Sequence, residues 1–119
     1  MDLIIGGAYQ GKEVYARAHY GLTDADIFVC GEDGALDSSR RCVCALERYV
    51  LFCVRRGEEP SCRFREDAII LCADLSCGVV PTDQEMRAWR EAVGRLLCSL
   101  ADRAEHVTRL FCGIPQSLK

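Results

Sequence analysis

Lysine is nearly absent from this chain. Only Lys12 and Lys119 occur among fifteen basic residues, and the remainder are arginine. Basic charge is spread out and the net charge is −3. That excludes the clustered basic face on which nucleic-acid binding depends. Long apolar runs are missing as well, and nothing approaches the ~20 residues needed to cross a bilayer. The opening Met1-Asp2-Leu3-Ile4-Ile5-Gly6 has no basic segment and too short an apolar run for a secretory signal. These absences predict a cytoplasmic protein with no membrane span and no nucleic-acid partner. There is no internal repeat and no low-complexity segment. A chain of 119 residues suits one domain with one core.

Cysteine is abundant, with nine residues, yet no C-x-x-C pair occurs. Most cysteines lie in apolar runs such as Ile70-Leu71-Cys72-Ala73 and Leu110-Phe111-Cys112. They read as small buried hydrophobes in a reducing compartment. The only close pair is Cys42-Val43-Cys44. Placed on a helix, its two side chains diverge, which argues against a shared metal ion.

Hydrophobic periodicity alternates along the chain. Leu3-Ile4-Ile5 reads as a buried strand running into Gly6-Gly7. A helix is expected from about Gly11 to His19, with Gly21 just beyond it. Ile27-Phe28-Val29-Cys30 is a second short strand. Apolar residues at 42, 43, 46, 49, 50, 53 and 54 predict a helix that Ser38 or Ser39 would cap. Ala68 to Ala73 is uniformly apolar, as in a parallel strand covered on both faces. Thr82 and Glu85 have capping-box spacing ahead of the longest helix. Its stripe is Met86, Trp89, Val93, Leu96, Leu97 and Leu100, with Trp89 read as core. Val107 to Cys112 is a last strand, broken by Gly113-Ile114-Pro115. Strands alternating with helices predict an α/β fold with a mostly parallel sheet and ligands at the strands' carboxyl ends.

Gly6-Gly7-Ala8-Tyr9-Gln10-Gly11-Lys12 fits the phosphate-loop pattern G-x-x-x-x-G-K. Glycines let backbone amides converge on phosphate, a following helix adds positive partial charge, and the lysine reaches the outer phosphates. The expected fold is therefore a three-layer P-loop NTPase-like one, a single nucleotide-binding domain over residues 1–119. The eighth position carries Glu13 in place of the usual magnesium-binding hydroxyl. Three readings of Glu13 stay open: it ligates Mg²⁺, points away, or weakens nucleotide binding. Asp74 ends the buried strand near the loop and is the second candidate, to orient Mg²⁺ or a nucleophilic hydroxyl, or merely to cap a loop.

The second half carries a family resemblance. Ala73-Asp74-Leu75-Ser76-Cys77-Gly78-Val79-Val80-Pro81 resembles the N-E-V-G-x-G-I-V-P segment of adenosylcobinamide kinase/adenosylcobinamide-phosphate guanylyltransferases. Arg87, Arg90, Gly94, Leu100-Ala101, Val107, Gly113-Ile114-Pro115 and Lys119 follow in the family's order. The opening Gly6 to Glu13 is similar to its G-G-A-x-x-G-K-S. The likeness covers roughly residues 1–30 and 67–119, and this chain is shorter than the family in its middle.

That resemblance implies nucleoside-triphosphate-dependent phosphorylation of adenosylcobinamide in cobalamin biosynthesis. Mg²⁺ with GTP or ATP, and a corrinoid, are the implied ligands, and a homo-oligomer, a trimer in the family, is the implied assembly. The family's guanylylated histidine has no counterpart, so guanylyl transfer is expected to be lost. His19 reads as a surface or packed helix residue. His106 reads as a residue at a helix end, near the negative pole of its dipole. Lys12 and Asp74 are the candidate catalytic residues, Gly6 to Glu13 the nucleotide loop, and Glu13 and Asp74 the candidate magnesium ligands. Arg87 and Arg90 are candidates for phosphate or subunit contacts, or are simply solvated charge. A noncatalytic nucleotide- or corrinoid-binding subunit, or a P-loop kinase of another small substrate, are the competing readings.

Overall fold

The expected first strand forms from Asp2 to Gly6 (β1), and helix α1 runs from Lys12 to Tyr20 in a computed structural model that describes residues 1–75 and 81–119. Gly11 and Gly21 bound α1 at φ 84° and 64°, left-handed conformations that favour a residue without Cβ. The remaining elements are β2 (Ile27–Val29), β3 (Cys42–Cys44), α2 (Leu46–Arg55), β4 (Ile69–Ala73), α3 (Gln84–Arg103), β5 (His106–Phe111) and β6 (Ile114–Ser117). Of the segment resembling N-E-V-G-x-G-I-V-P, Ser76, Cys77, Gly78, Val79 and Val80 lie outside the described residues.

One six-stranded sheet joins the strands in the order β2-β3-β4-β1-β5-β6. All neighbours are parallel except the β5–β6 hairpin. The protein is thus a mixed α/β protein with a mostly parallel sheet. Strand alternation divides its core into two. Ile70 and Cys72 of β4 join Leu3, Val43 and Val107 under α2 and α3. Ile69 and Leu71 join Ile4, Cys42, Cys44 and Leu110 under Ala16 of α1. β4 is buried along its whole length, which is why its sequence shows no polar alternation.

Several expectations need correction. The predicted helix over residues 42–54 is a strand followed by a helix. Cys42, Val43 and Cys44 are all buried, paired to Ile27–Val29 on one side and to β4 on the other. Ala45, at φ 57°, then turns the chain into α2. Apolar residues covered on both sheet faces mimic the i, i+3, i+4 pattern when a helix follows directly. Ser39 does not cap α2; its amide and hydroxyl bond Asp37 in a loop turn. Asp83, not Thr82, caps α3, accepting the Met86 amide at 3.1 Å. Gly113-Ile114-Pro115 does not end the sheet. Cys112 and Gly113, both at positive φ, make a two-residue turn into β6. Pro115 is tolerated there because β6 is an edge strand. His106 lies in β5 rather than at a helix end, with Nδ1 3.1 Å from Asp2 Oδ1.

Candidate functional site

The loop between β1 and α1 closes on its own lysine. Lys12 Nζ donates to the carbonyls of Gly7 at 2.8 Å and Gly6 at 3.2 Å. Tyr9 and Gly11 take left-handed φ of 60° and 84°, so the chain curls instead of extending. The chain makes a turn at Ala8 and Tyr9 just ahead of α1. The first N–H groups of α1 have no intrahelical partner, and the helix contributes its positive partial charge there. A curled loop, a helix N-terminus and an ammonium thus meet at one place in the fold.

A second element braces this patch. The Gln10 side-chain oxygen accepts the Cys112 amide, and Gly113 N donates to the Gln10 carbonyl at 3.0 Å. The β5–β6 turn therefore grips the loop from the side. Gly6 has no room for a larger residue, since an added Cβ would lie 2.7 Å from the Leu110 carbonyl. All non-glycine residues at positive φ in the described chain belong to this neighbourhood: Tyr9, Ala45 and Cys112. Each such conformation costs roughly 1–3 kcal/mol, and such strain gathers where function requires a shape.

Beside the loop opens a cleft of about 340 Å³ lined by Lys12, Glu13, Cys44, Glu47 and Arg48, with Tyr9 and Val29 on its rim. Tyr9 is fully exposed. Of the predicted loop Gly6 to Glu13, Ala8, Tyr9, Lys12 and Glu13 line the cleft, and Gly6, Gly7, Gln10 and Gly11 do not. Glu13 is exposed and engaged by Arg17 at 3.1 Å, one helical turn on. Asp74 is placed differently. Its amide donates to the Gly6 carbonyl at 2.9 Å, which holds the end of β4 against β1. Ala73, not Asp74, lines the cleft. Arg87 and Arg90 do not line the cleft either. Lys12 and Glu13 are therefore brought together, while Asp74 and the two arginines are not placed with them.

Glu47 was not anticipated. It lies in the first turn of α2, and its carboxylate accepts the Ala73 amide at 3.1 Å on the cleft wall. Its carbonyl accepts the Trp89 indole N–H at 2.7 Å, which ties α3 to the same point. Trp89 is partly buried against the core, in line with its reading as core. The signal for Glu47 was a carboxylate three residues beyond Cys44. It became meaningful only once Cys42–Cys44 was a strand, because a parallel strand's carboxyl end is where ligands bind.

Cysteine placement is mixed. Cys30, Cys42, Cys44, Cys53, Cys62 and Cys72 are buried thiols, whereas Cys98 and Cys112 are exposed. At the opposite end of the sheet, Asp2 accepts the Tyr20 hydroxyl at 2.7 Å and meets His106. Burial, then the Asp2 contact, push the Tyr20 hydroxyl well above its ordinary value. Asp2, Glu105 and His106 bring their ligating atoms within 4.8 Å of one another. Among the described residues no helix is long and apolar enough to cross a membrane.

Fold and site together define an α/β protein with a lysine-bearing cleft at the carboxyl end of a mostly parallel sheet. Comparison with protein-family models and with curated proteins finds no match for this chain.

Proposed function

We propose that the protein is a P-loop nucleotide-binding protein, and that it binds the phosphate chain of GTP or ATP at Gly6 to Glu13. One observation carries this reading: a glycine-bearing loop curls between β1 and the N-terminus of α1, with the Lys12 ammonium held against its Gly6 and Gly7 carbonyls. The carbonyls that now hold Lys12 keep its charge at the mouth of the loop. A bound phosphate would gain that charge with little rearrangement.

Mg²⁺ fits the donor set in part. A hard cation takes oxygen ligands and shares them with phosphate. Glu47 and Glu13 are the carboxylates that line the cleft. Mg²⁺ would supply charge neutralisation at the outer phosphates. The chain's own contribution is positioning through amides, lysine and carboxylates.

The expected test is GTP and ATP binding by calorimetry for wild type and Lys12→Ala. Charge-assisted contacts are worth about 1.5–3 kcal/mol, so affinity should fall on the order of tenfold to a hundredfold. Equal affinities in the two proteins would remove the reading.

The resemblance to adenosylcobinamide kinases extends the proposal to phosphoryl transfer onto a corrinoid hydroxyl. Incubation with GTP or ATP, Mg²⁺ and adenosylcobinamide would then yield the phosphate ester. A second reading, nucleotide binding without turnover, draws support from two observations. Glu13 is occupied by Arg17, and Ala73 rather than Asp74 faces the cleft. Binding without ester formation would select it.

A further inference from the structure

Parallel pairing sets Asp2 at the start of β1 beside His106 at the start of β5, and the Glu105 amide donates to the Met1 carbonyl at 2.9 Å. Side chains 104 residues apart in sequence thus meet. Asp2 Oδ1 lies 3.1 Å from His106 Nδ1, and Asp2 Oδ2 accepts the Tyr20 hydroxyl at 2.7 Å, which fixes the orientation of the carboxylate. Glu105 completes a set of three ligating atoms, all within 4.8 Å of one another. The set borders a pocket of about 220 Å³ whose wall also carries Glu66, Asp67 and Arg41.

Charge and spacing both point to a cation. Two carboxylates this close repel unless a positive charge lies between them. The cations nearby are engaged elsewhere. Arg41 donates to the Tyr20 carbonyl at 3.4 Å, the Met1 amino group donates to the Glu66 carbonyl, and Arg65 holds Asp67 at 2.8 Å. A divalent cation answers both carboxylates and takes the imidazole as a neutral ligand. With metal–ligand bonds of about 2.0–2.2 Å, neighbouring donors on a tetrahedral ion lie roughly 3.3–3.6 Å apart. The Asp2–His106 pair stands at 3.1 Å, close to that spacing. Glu105 is exposed, so its side chain has room to close the remaining distance. One imidazole with two carboxylates suits zinc and its neighbours, whereas calcium and magnesium favour oxygen ligands throughout.

We propose that Asp2, Glu105 and His106 form a site for one divalent transition-metal cation of the Zn²⁺ class. Three protein ligands hold the ion, and its fourth position is open to water from the pocket. The ion ties the start of β1 to the start of β5. It therefore binds the folded chain in preference to the unfolded one, and stabilises the fold as its concentration rises. The site lies at the opposite end of β1 from the phosphate loop and does not depend on nucleotide binding.

Zinc itself provides the probe, in a Cys98→Ser/Cys112→Ser protein that lacks the two exposed thiols of the described residues. His19 and His106 are the only imidazoles in the chain, so their ring resonances report the ligand directly. We expect calorimetric uptake of one equivalent, a larger shift of the His106 ring signals than of the His19 signals, and a higher urea midpoint with zinc than without it. Loss of a single supporting partner already weakens metal sites about 10–100-fold, so adding Glu105→Gln and His106→Gln should weaken uptake at least that much. Both residues are exposed, and the substitutions should leave the fold intact. Absence of uptake, equal affinity in that variant, or His106 signals that stay unmoved as zinc saturates the protein overturns the proposal. The resonance measurement needs no ligand substitution, so it decides even if the variant fails to fold. Loss of nucleotide binding in Lys12→Ala with zinc uptake intact separates this site from the phosphate-loop reading.

Discussion

The two faces of the sheet are unequal. Under α2 and α3 lies a broad core that includes Leu46, Val50, Val93, Leu96 and Leu100, with Tyr49, Trp89 and Leu97 packed at its margin. Under α1 the core is smaller and is covered by a single nine-residue helix, of which only Ala16 is buried. The phosphate loop, the cleft and the Cys42–Cys44 pair belong to this thin side. The contrast teaches a division of labour. One face carries the larger hydrophobic core, leaving the other to hold the Gly6–Glu13 loop with its strained backbone.

Truncating the thick side should have the largest effect. Leu100 is fully buried, and Leu100→Ala should cost about 3–5 kcal/mol in urea unfolding. Nucleotide affinity of the folded protein should stay unchanged. A loss of affinity equal to that of Lys12→Ala would erase the distinction between the faces. Gly6→Ala should act on both stability and site. Its Cβ would meet the Leu110 carbonyl at 2.7 Å, so β1 must shift and carry the loop with it. We expect destabilisation of about 1–3 kcal/mol together with weakened nucleotide binding. Full retention of both would show that the loop tolerates a displaced β1.

Alkaline pH probes the buried thiols of the thick side. Burial raises Cys62 to about 11 and Cys30 to about 12, from an ordinary 9.0. Above the ordinary value the unfolded chain loses these protons first and so binds fewer than the folded one. Stability is therefore full below that pH and declines as pH rises through the folded values. Urea midpoints taken from neutral into alkaline pH should fall, and fall less steeply in Cys62→Ala. The smallest effect tests the start of α3. Asp83→Ala should cost about 1 kcal/mol, and Thr82→Ala less than ~0.5 kcal/mol. The reverse order would restore the capping box read from spacing.

Much of the fold was legible before any coordinates. β1, α1 and β4 stand close to where glycine punctuation and apolar runs placed them. α3 does too, although its cap falls one residue later. β3 was not legible, because three buried residues running straight into a helix satisfy helical periodicity. β6 was hidden by Pro115, which normally breaks a strand and survives here only at the sheet's edge. The loop was readable as a motif, since each residue in it answers a local demand of backbone conformation. Glu47 and the thiol pair were invisible, and for one reason: both depend on β3 being a strand. Asp74 was favoured by its nearness in sequence to the end of β4, and Ala73, one residue earlier, is the residue that lines the cleft.

Local chemistry, then, was settled by the chain itself: a glycine-rich curl ahead of a helix, a lysine at its close, and a strand too apolar to face water. Such features depend on neighbours a few residues away, and sequence order preserves them. Which carboxylate lines the cleft with the lysine, which thiols meet each other and which turn braces the loop were decided only by tertiary structure. Those partners are separated by tens of residues and are joined by strand pairing, and pairing sets both the register and the face on which each side chain emerges.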